Sequence, residues 1–152
     1  MSRCALITGA STGIGYEFAK LFARDGSGLV VVARNGQRLA EVKAELEQQF
    51  HVPVTVVPKD LALAQAPDEL FAELQRERIE VDVLVNNAGF GTHGPFAEAD
   101  PASQLQMMQV NMAALTHLTR LVLPGMVART SGRILNVAST AGWPGSTRSV
   151  AC

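Results

Sequence analysis

Short runs of apolar, largely β-branched residues recur along the chain at Cys4–Thr8, Leu29–Ala33, Val54–Val57, Val81–Val85 and Arg133–Val137. Each has strand length. Their apolar residues run continuously rather than alternating, which predicts strands buried on both faces, as in a parallel sheet with helices on either side. Between these runs the apolar spacing changes to three and four. Phe18, Leu21 and Phe22 follow the first run, and Leu39, Val42, Leu46 and Phe50 follow the second, each marking one face of a helix. Pro67 stands at a first-turn position before Asp68, Glu69, Leu70, Phe71 and Leu74, a helix-start pattern. Asp100-Pro101 reads as an N-cap followed by the first helical residue. Leu105, Met108, Met112, Leu115, Leu118 and Val122 then predict a long buried stripe, which Pro124 kinks or ends. The alternation predicts an α/β fold, a doubly wound parallel sheet of about five strands. From Thr140 the chain turns to Gly, Ser, Thr and Pro without a helical stripe. This divides an α/β domain over 1–142 from an atypical turn-rich tail over 143–152, and predicts a sheet incomplete at its C-terminal end.

Composition narrows the function. A length of 152 residues is a prior for one domain. With 13 Lys and Arg against 14 Asp and Glu, the net charge of −1 argues against nucleic-acid binding by bulk charge. At 47% hydrophobic and 18% charged residues the chain has enough apolar surface for a core and too much for disorder. No apolar run approaches the roughly 18 residues of a membrane span. Met1-Ser2-Arg3 leads directly into the first strand without a secretory pattern. Cys4 and Cys152 form neither a metal spacing nor a disulfide framework, so a reducing, cytoplasmic setting without a metal is expected. His51, His93 and His117 lack ligand-like spacing and read as structural or surface residues.

The first strand ends in Thr8-Gly9-Ala10-Ser11-Thr12-Gly13-Ile14-Gly15, and a helical pattern follows at once. Glycines there permit a tight turn and close approach of a ligand to the backbone. The new helix offers free N–H groups and a positive dipole end to a pyrophosphate. The spacing is G-x-x-x-G-x-G rather than G-x-G-x-x-G, and no Gly-Lys-Ser/Thr of a nucleoside-triphosphate loop occurs. An ordinary strand–helix turn is the bland alternative. The position between the first strand and first helix favours a dinucleotide site. The second strand ends at Ala33-Arg34-Asn35. An NAD site places Asp or Glu in this region to hold the ribose 2′-hydroxyl. Here the acid is absent and Arg34 could pair with a 2′-phosphate, so NADP is favoured over NAD. A solvated arginine at a strand end is the alternative.

Taken together with Asp60-Leu61 after the third strand, Asn86-Asn87-Ala88-Gly89 after the fourth, Asn111 in the long helix and Asn136-Val137-Ala138-Ser139 ending the fifth, the glycine loop gives the chain its resemblance to the short-chain dehydrogenase/reductases. The resemblance implies a Rossmann fold and a dinucleotide-dependent oxidoreductase acting on a small-molecule alcohol or carbonyl. It implies that Gly9, Ser11, Thr12, Gly13, Ile14, Gly15 and Arg34 bind the cofactor, that Asp60 binds the adenine amino group with Leu61 beside it, and that Asn87, Ala88 and Gly89 line the ribose side. Asn86 would tie the central strands together. Asn111 would kink its helix and hold a water of a proton relay, and Ser139 would donate a hydrogen bond to the substrate oxygen. Full-length members are usually homo-oligomers.

The family's acid/base is a Tyr about thirteen residues past the Ser, with a Lys four residues further on that lowers its pKa. Position 152 is Cys152, and no residue follows. The expectation is therefore a truncated form, with a non-catalytic nucleotide-binding module as the alternative. Tyr16-x-x-x-Lys20 has the right spacing but belongs to the first helix and reads as a decoy.

Overall fold

The computed structural model describes residues 3–92 and 94–139. The tail over 143–152, including Cys152, and His93 lie outside them. Five parallel strands, β1 (Cys4–Thr8), β2 (Gly28–Ala33), β3 (Val54–Pro58), β4 (Val83–Asn86) and β5 (Arg133–Asn136), form one sheet in the order β3-β2-β1-β4-β5. The intervening helices are α1 (Gly13–Arg24), α2 (Gly36–Phe50), α3 (Ala66–Arg76), α4 (Pro101–Met108) and α5 (Leu115–Ala128). The order reverses between β1 and β4, so the loops leaving these two strands diverge and open a crevice at the carboxyl end of the sheet.

The continuous apolar strands serve two cores. Leu6, Val30, Val32 and Leu84 face one side and pack with Leu70 and Leu74 of α3 and Leu118 and Val122 of α5. Their neighbours Ala5, Ile7, Leu29 and Val31 face the other side, against Ala19 and Ala23 of α1 and Leu39, Val42 and Leu46 of α2. In α1 the innermost residues are thus alanines. Phe18 and Phe22 pack at the margin and Leu21 is exposed. β5 departs from the two-faced pattern: Leu135 is 39% exposed, and β4 is its one strand neighbour among the described residues.

The long stripe predicted from Leu105 needs correction. Leu105, Met108 and Met112 are 66%, 51% and 62% exposed, and Leu115 is half-buried. The buried set is Met107, Val110, Ala114, Leu118, Val122 and Met126. Residues Gln109–Ala114 between α4 and α5 form a π-helix. Its wider turn shifts the helical register, so a stripe extrapolated at α-helical spacing meets the core only at Leu118 and Val122. Pro124 does not end the helix, which runs to Ala128. Pro124, which has no N–H to donate to the Arg120 carbonyl, and Arg120 itself lie on the exposed face.

Asp100 caps α4 as expected, accepting from the Ala102 and Ser103 backbone N–H groups at 3.4 and 2.9 Å. These hydrogen bonds, the one from Ser103 N–H foremost, lower its pKa. A carboxylate with a lowered native pKa stabilises above its unfolded pKa, and that stabilisation fades as pH falls through the native one. Asp100→Ala should lower the thermal midpoint at neutral pH but have little effect in strong acid. Asp100→Asn should retain most of the cap.

Candidate cofactor site

The crevice is a groove of about 380 Å³. Four strand-to-helix connections bring Gly9, Ser11, Thr12, Arg34, Asp60, Leu61, Asn87, Ala88 and Gly89 to its wall. Sequence reasoning missed Asn35, Lys59, Phe90, Gln106 and Val110, which also line it.

The glycine loop reverses the chain above β1 through Gly9 (φ +67°) and Gly13 (φ +57°), both in the left-handed region that L side chains disfavour. Gly15 does different work: a Cβ there would stand 2.3 Å from the Gly9 carbonyl oxygen, so its bare backbone lets α1 start against the loop. Thr12 precedes α1 without capping it by its side chain, unlike Asn35 for α2 and Asp100 for α4. The first-turn N–H groups of α1 are left for another acceptor. This loop and its uncapped helix suit a pyrophosphate.

Thr8 and Asn87 lock the loop to β4. The Thr8 hydroxyl accepts from the backbone N–H groups of Asn87 and Ala88 at 3.0 and 2.9 Å. The Asn87 amide donates to the carbonyls of Thr8 and Gly9 at 3.0 and 3.3 Å. Asn86 points the other way, buried, with its amide 3.1 Å from the Thr119 hydroxyl and 2.9 Å from Asn136 Oδ1, and so joins β4 to β5 and α5. Asn111 lies in the π-helix. Its amide donates to the Phe90 carbonyl at 2.9 Å, and its Oδ1 accepts from the Phe90 N–H at 3.1 Å, pinning the backbone just after Gly89. Ser139 is exposed, beyond the carboxyl end of β5. Gly13, Ile14, Gly15, Asn111 and Ser139 are not part of the groove wall.

The charges in the groove are not equivalent. Lys59 is paired with Glu69 at 2.8 Å. Asp60 accepts from the Ala62 N–H at 3.0 Å in a local turn. Arg34 is exposed at the end of β2 and makes no ion pair with any described residue. Among the described residues the groove therefore holds one guanidinium outside any ion pair, on the same wall as Ser11 and Thr12, with no acid in the turn after β2.

Tyr16 is not part of the groove wall. Its hydroxyl donates to Glu45 of α2, and Lys20 lies 5.3 Å from its ring centroid. The hydrogen bond to Glu45 foremost, then burial, pushes its pKa up to about 12, the opposite of what an acid/base needs. A phenol with a raised native pKa stabilises fully below its unfolded pKa, and this contribution is lost as pH rises through the native value. Phenolate absorbance should titrate near pH 12 in the native chain and at lower pH after Glu45→Gln; a native midpoint at 10 would contradict the pairing. Cys4 is half-buried, and burial foremost, then Asp82, pushes its thiol up to about 11. His51 ends α2 in a left-handed turn, and His117 lies 3.1 Å from Asp68 of α3. No group of His, Cys, Asp and Glu suited to a metal occurs among the described residues, and none of their helices is long and apolar enough to cross a membrane.

A parallel sheet with this strand order, a glycine loop after its first strand and a groove at its carboxyl end define a Rossmann fold. Within that class the chain belongs to the short chain dehydrogenase family, whose model matches residues 3–151. It is 36% identical over 141 residues to the NADP-dependent 3-hydroxy acid dehydrogenase YdfG of Escherichia coli K12, covering 91% of this chain and 55% of that protein. It is 33% identical over 142 residues to the very-long-chain 3-oxoacyl-CoA reductase of Rattus norvegicus, covering 91% of this chain and 45% of that one. L-sorbose reductase from Gluconobacter frateurii, solved with NADPH and L-sorbose, superposes with a TM-score of 0.91 at 33% identity, over 97% of this chain and 56% of that one. The chain thus spans about half the length of the curated relatives it matches.

Proposed function

We propose that this chain carries the cofactor-binding part of an NADP-dependent oxidoreductase that transfers hydride between NADP(H) and an alcohol or carbonyl compound. Residues 1–142 are its partial dinucleotide-binding domain, in a cytoplasmic setting. Arg34 carries the reading: it makes no ion pair with any described residue, it lies in the groove with Ser11 and Thr12, and no acid follows it in the turn after β2. A carboxylate there would repel a 2′-phosphate, whereas a guanidinium binds it through charge-assisted hydrogen bonds. The NADP-dependent relatives and the NADPH-bound neighbour support the same reading.

The remaining roles follow from placement. The backbone of Gly9 to Gly15 and the start of α1 hold the pyrophosphate. Asp60 accepts from the adenine amino group with Leu61 packed alongside, and the Asn87-Ala88-Gly89 turn supports a ribose. Asn111 fixes the loop after Gly89 and holds a water of the proton relay. Ser139 donates a hydrogen bond to the substrate oxygen and stabilises its developing charge during transfer. NADP(H), when bound, supplies or accepts the hydride. The family's Tyr and Lys are not among these 152 residues, so in this reading the proton donor belongs to sequence outside them.

Calorimetry on the 152-residue chain tests the cofactor claim. NADPH should bind about ten- to a hundredfold more tightly than NADH, as expected of one charge-assisted pair. Equal affinities, or a preference for NADH, would overturn it. In a version extended by a Tyr-x-x-x-Lys segment, NADPH oxidation with aldehydes or ketones should appear and be lost in Ser139→Ala. Binding without oxidation would point to a non-catalytic nucleotide-binding module.

A further inference from the structure

Arg38 is outside the groove wall, yet it touches both of the loops that build the groove's Arg34 end. Its backbone N–H donates to Asn35 Oδ1 at 3.0 Å, in the turn that carries Arg34. Its side-chain Nε donates to the Ser11 carbonyl at 3.2 Å, in the glycine loop twenty-seven residues earlier. The guanidinium is held in this pose from two sides. Glu41 accepts from NH1 at 2.8 Å, and the ring of Tyr16 lies beneath it, 5.6 Å to the centroid. Tyr16 is in turn fixed by its hydrogen bond to Glu45. Two residues of α2 and one of α1 are thus committed to orienting an arginine whose free N–H group reaches a main-chain oxygen.

Pinning that oxygen orients the loop. In a trans peptide the carbonyl and the following N–H point in opposite directions. With its oxygen turned toward Arg38, the Ser11 peptide directs the Thr12 N–H away from Arg38. The same side chain sets the spacing between Ser11 and the turn bearing Arg34 and Asn35, all of which face the groove. Glu41 offsets the positive charge of Arg38, so this residue is suited to fixing geometry, while Arg34 keeps an uncommitted charge.

We infer that Arg38 is a positioning residue for the cofactor: by clamping the glycine loop to the β2–α2 turn, it sets the gap between Ser11 and Arg34 that receives the 2′-phosphate of NADP(H). The inference rests on the proposed cofactor reading and deepens it. The pyrophosphate sits at the start of α1 in that reading, so loss of the clamp falls mainly on the 2′-phosphate.

The test compares NADP+ and NAD+ binding by calorimetry in the wild-type chain, Arg38→Met, Arg38→Lys and Glu41→Gln, with thermal midpoints checking that each folds. Arg38→Met should weaken NADP+ binding about tenfold and NAD+ binding no more than about threefold. Arg38→Lys should not rescue, because an ammonium keeps the charge but lacks the planar fork that reaches Ser11 and Glu41 together. Glu41→Gln should weaken NADP+ binding about two- to fourfold. Equal losses for both cofactors, or full rescue by Lys, would overturn the inference. So would tighter NADP+ binding in Glu41→Gln, which would make the guanidinium a direct phosphate ligand held back by its partner. Amide hydrogen exchange in the ligand-free chain gives a separate readout. Exchange at residues 11–13 should rise about tenfold in Arg38→Met while β1 and β2 stay unchanged; unchanged loop exchange would remove the clamp. If the wild-type chain binds neither dinucleotide, the cofactor reading falls and takes the phosphate role with it, and hydrogen exchange still decides whether the clamp exists.

Discussion

Gly15→Ala should destabilise the native chain by about 3 kcal/mol, the upper end of the usual cost of adding one methyl to a packed interior. The added Cβ would stand 2.3 Å from the Gly9 carbonyl oxygen and 2.4 Å from the Asn87 amide nitrogen. Neither can retreat cheaply, because that amide holds the Thr8 and Gly9 carbonyls and so ties the glycine loop to β4. Gly13→Ala is the informative comparison. Nothing lies within 4 Å of its added Cβ, and the cost comes from its φ of +57°, about 1–2 kcal/mol for a left-handed L residue. Urea unfolding should therefore rank wild type above Gly13→Ala and Gly13→Ala above Gly15→Ala. If Gly15→Ala equalled Gly13→Ala, the close approach of α1 to the loop would be wrong. Dinucleotide affinity should fall with Gly15→Ala as well, since the displaced loop is the proposed pyrophosphate cradle.

Cofactor preference should reverse in Arg34→Asp. Under the proposed reading the wild-type guanidinium contributes roughly 1.5–3 kcal/mol to NADPH binding, a difference of about ten- to a hundredfold. A carboxylate at the same strand end repels the 2′-phosphate and can accept from a ribose 2′-hydroxyl. NADPH affinity should drop by at least that factor while NADH affinity holds or improves. Because Arg34 is exposed and unpaired among the described residues, the thermal midpoint should stay near that of wild type, which separates a binding effect from a folding one. Retained NADPH preference in Arg34→Asp would move the 2′-phosphate away from this loop.

Local pattern was enough to read most of the fold. β1 runs over Cys4–Thr8 as its apolar run does, and Leu39, Val42 and Leu46 are the buried face of α2. Pro67 and Asp100-Pro101 stand at helix starts. These features were legible because each depends on neighbours within a turn or two: strand burial on the continuity of apolar residues, helix faces on spacing, and helix starts on which residue can satisfy or dispense with an N–H. The groove was legible for a related reason. In a doubly wound sheet each strand's carboxyl end delivers its next residues to the same edge, so Ser11 and Arg34 could be placed there from the strand pattern, while Asp60 and Asn87 were singled out by the family resemblance.

Tertiary structure decided what depends on where one element meets another. The π-helix at Gln109–Ala114 moved burial from Leu105, Met108 and Met112 to Met107, Val110 and Ala114, because an apolar spacing extrapolated at a constant rise cannot anticipate a wider turn. Only the packing of α1 on α2 brings Tyr16 to Glu45 and Arg38 to Ser11. Only the approach of the β3–α3 connection to α3 commits Lys59 to Glu69 and leaves Arg34 uncommitted. The amino-acid order by itself thus determined the elements, their succession and the residues delivered to the edge of the sheet. The approach of one element to another determined which of the charges there remain free, since a side chain's partner is chosen by distance in space rather than by separation along the chain.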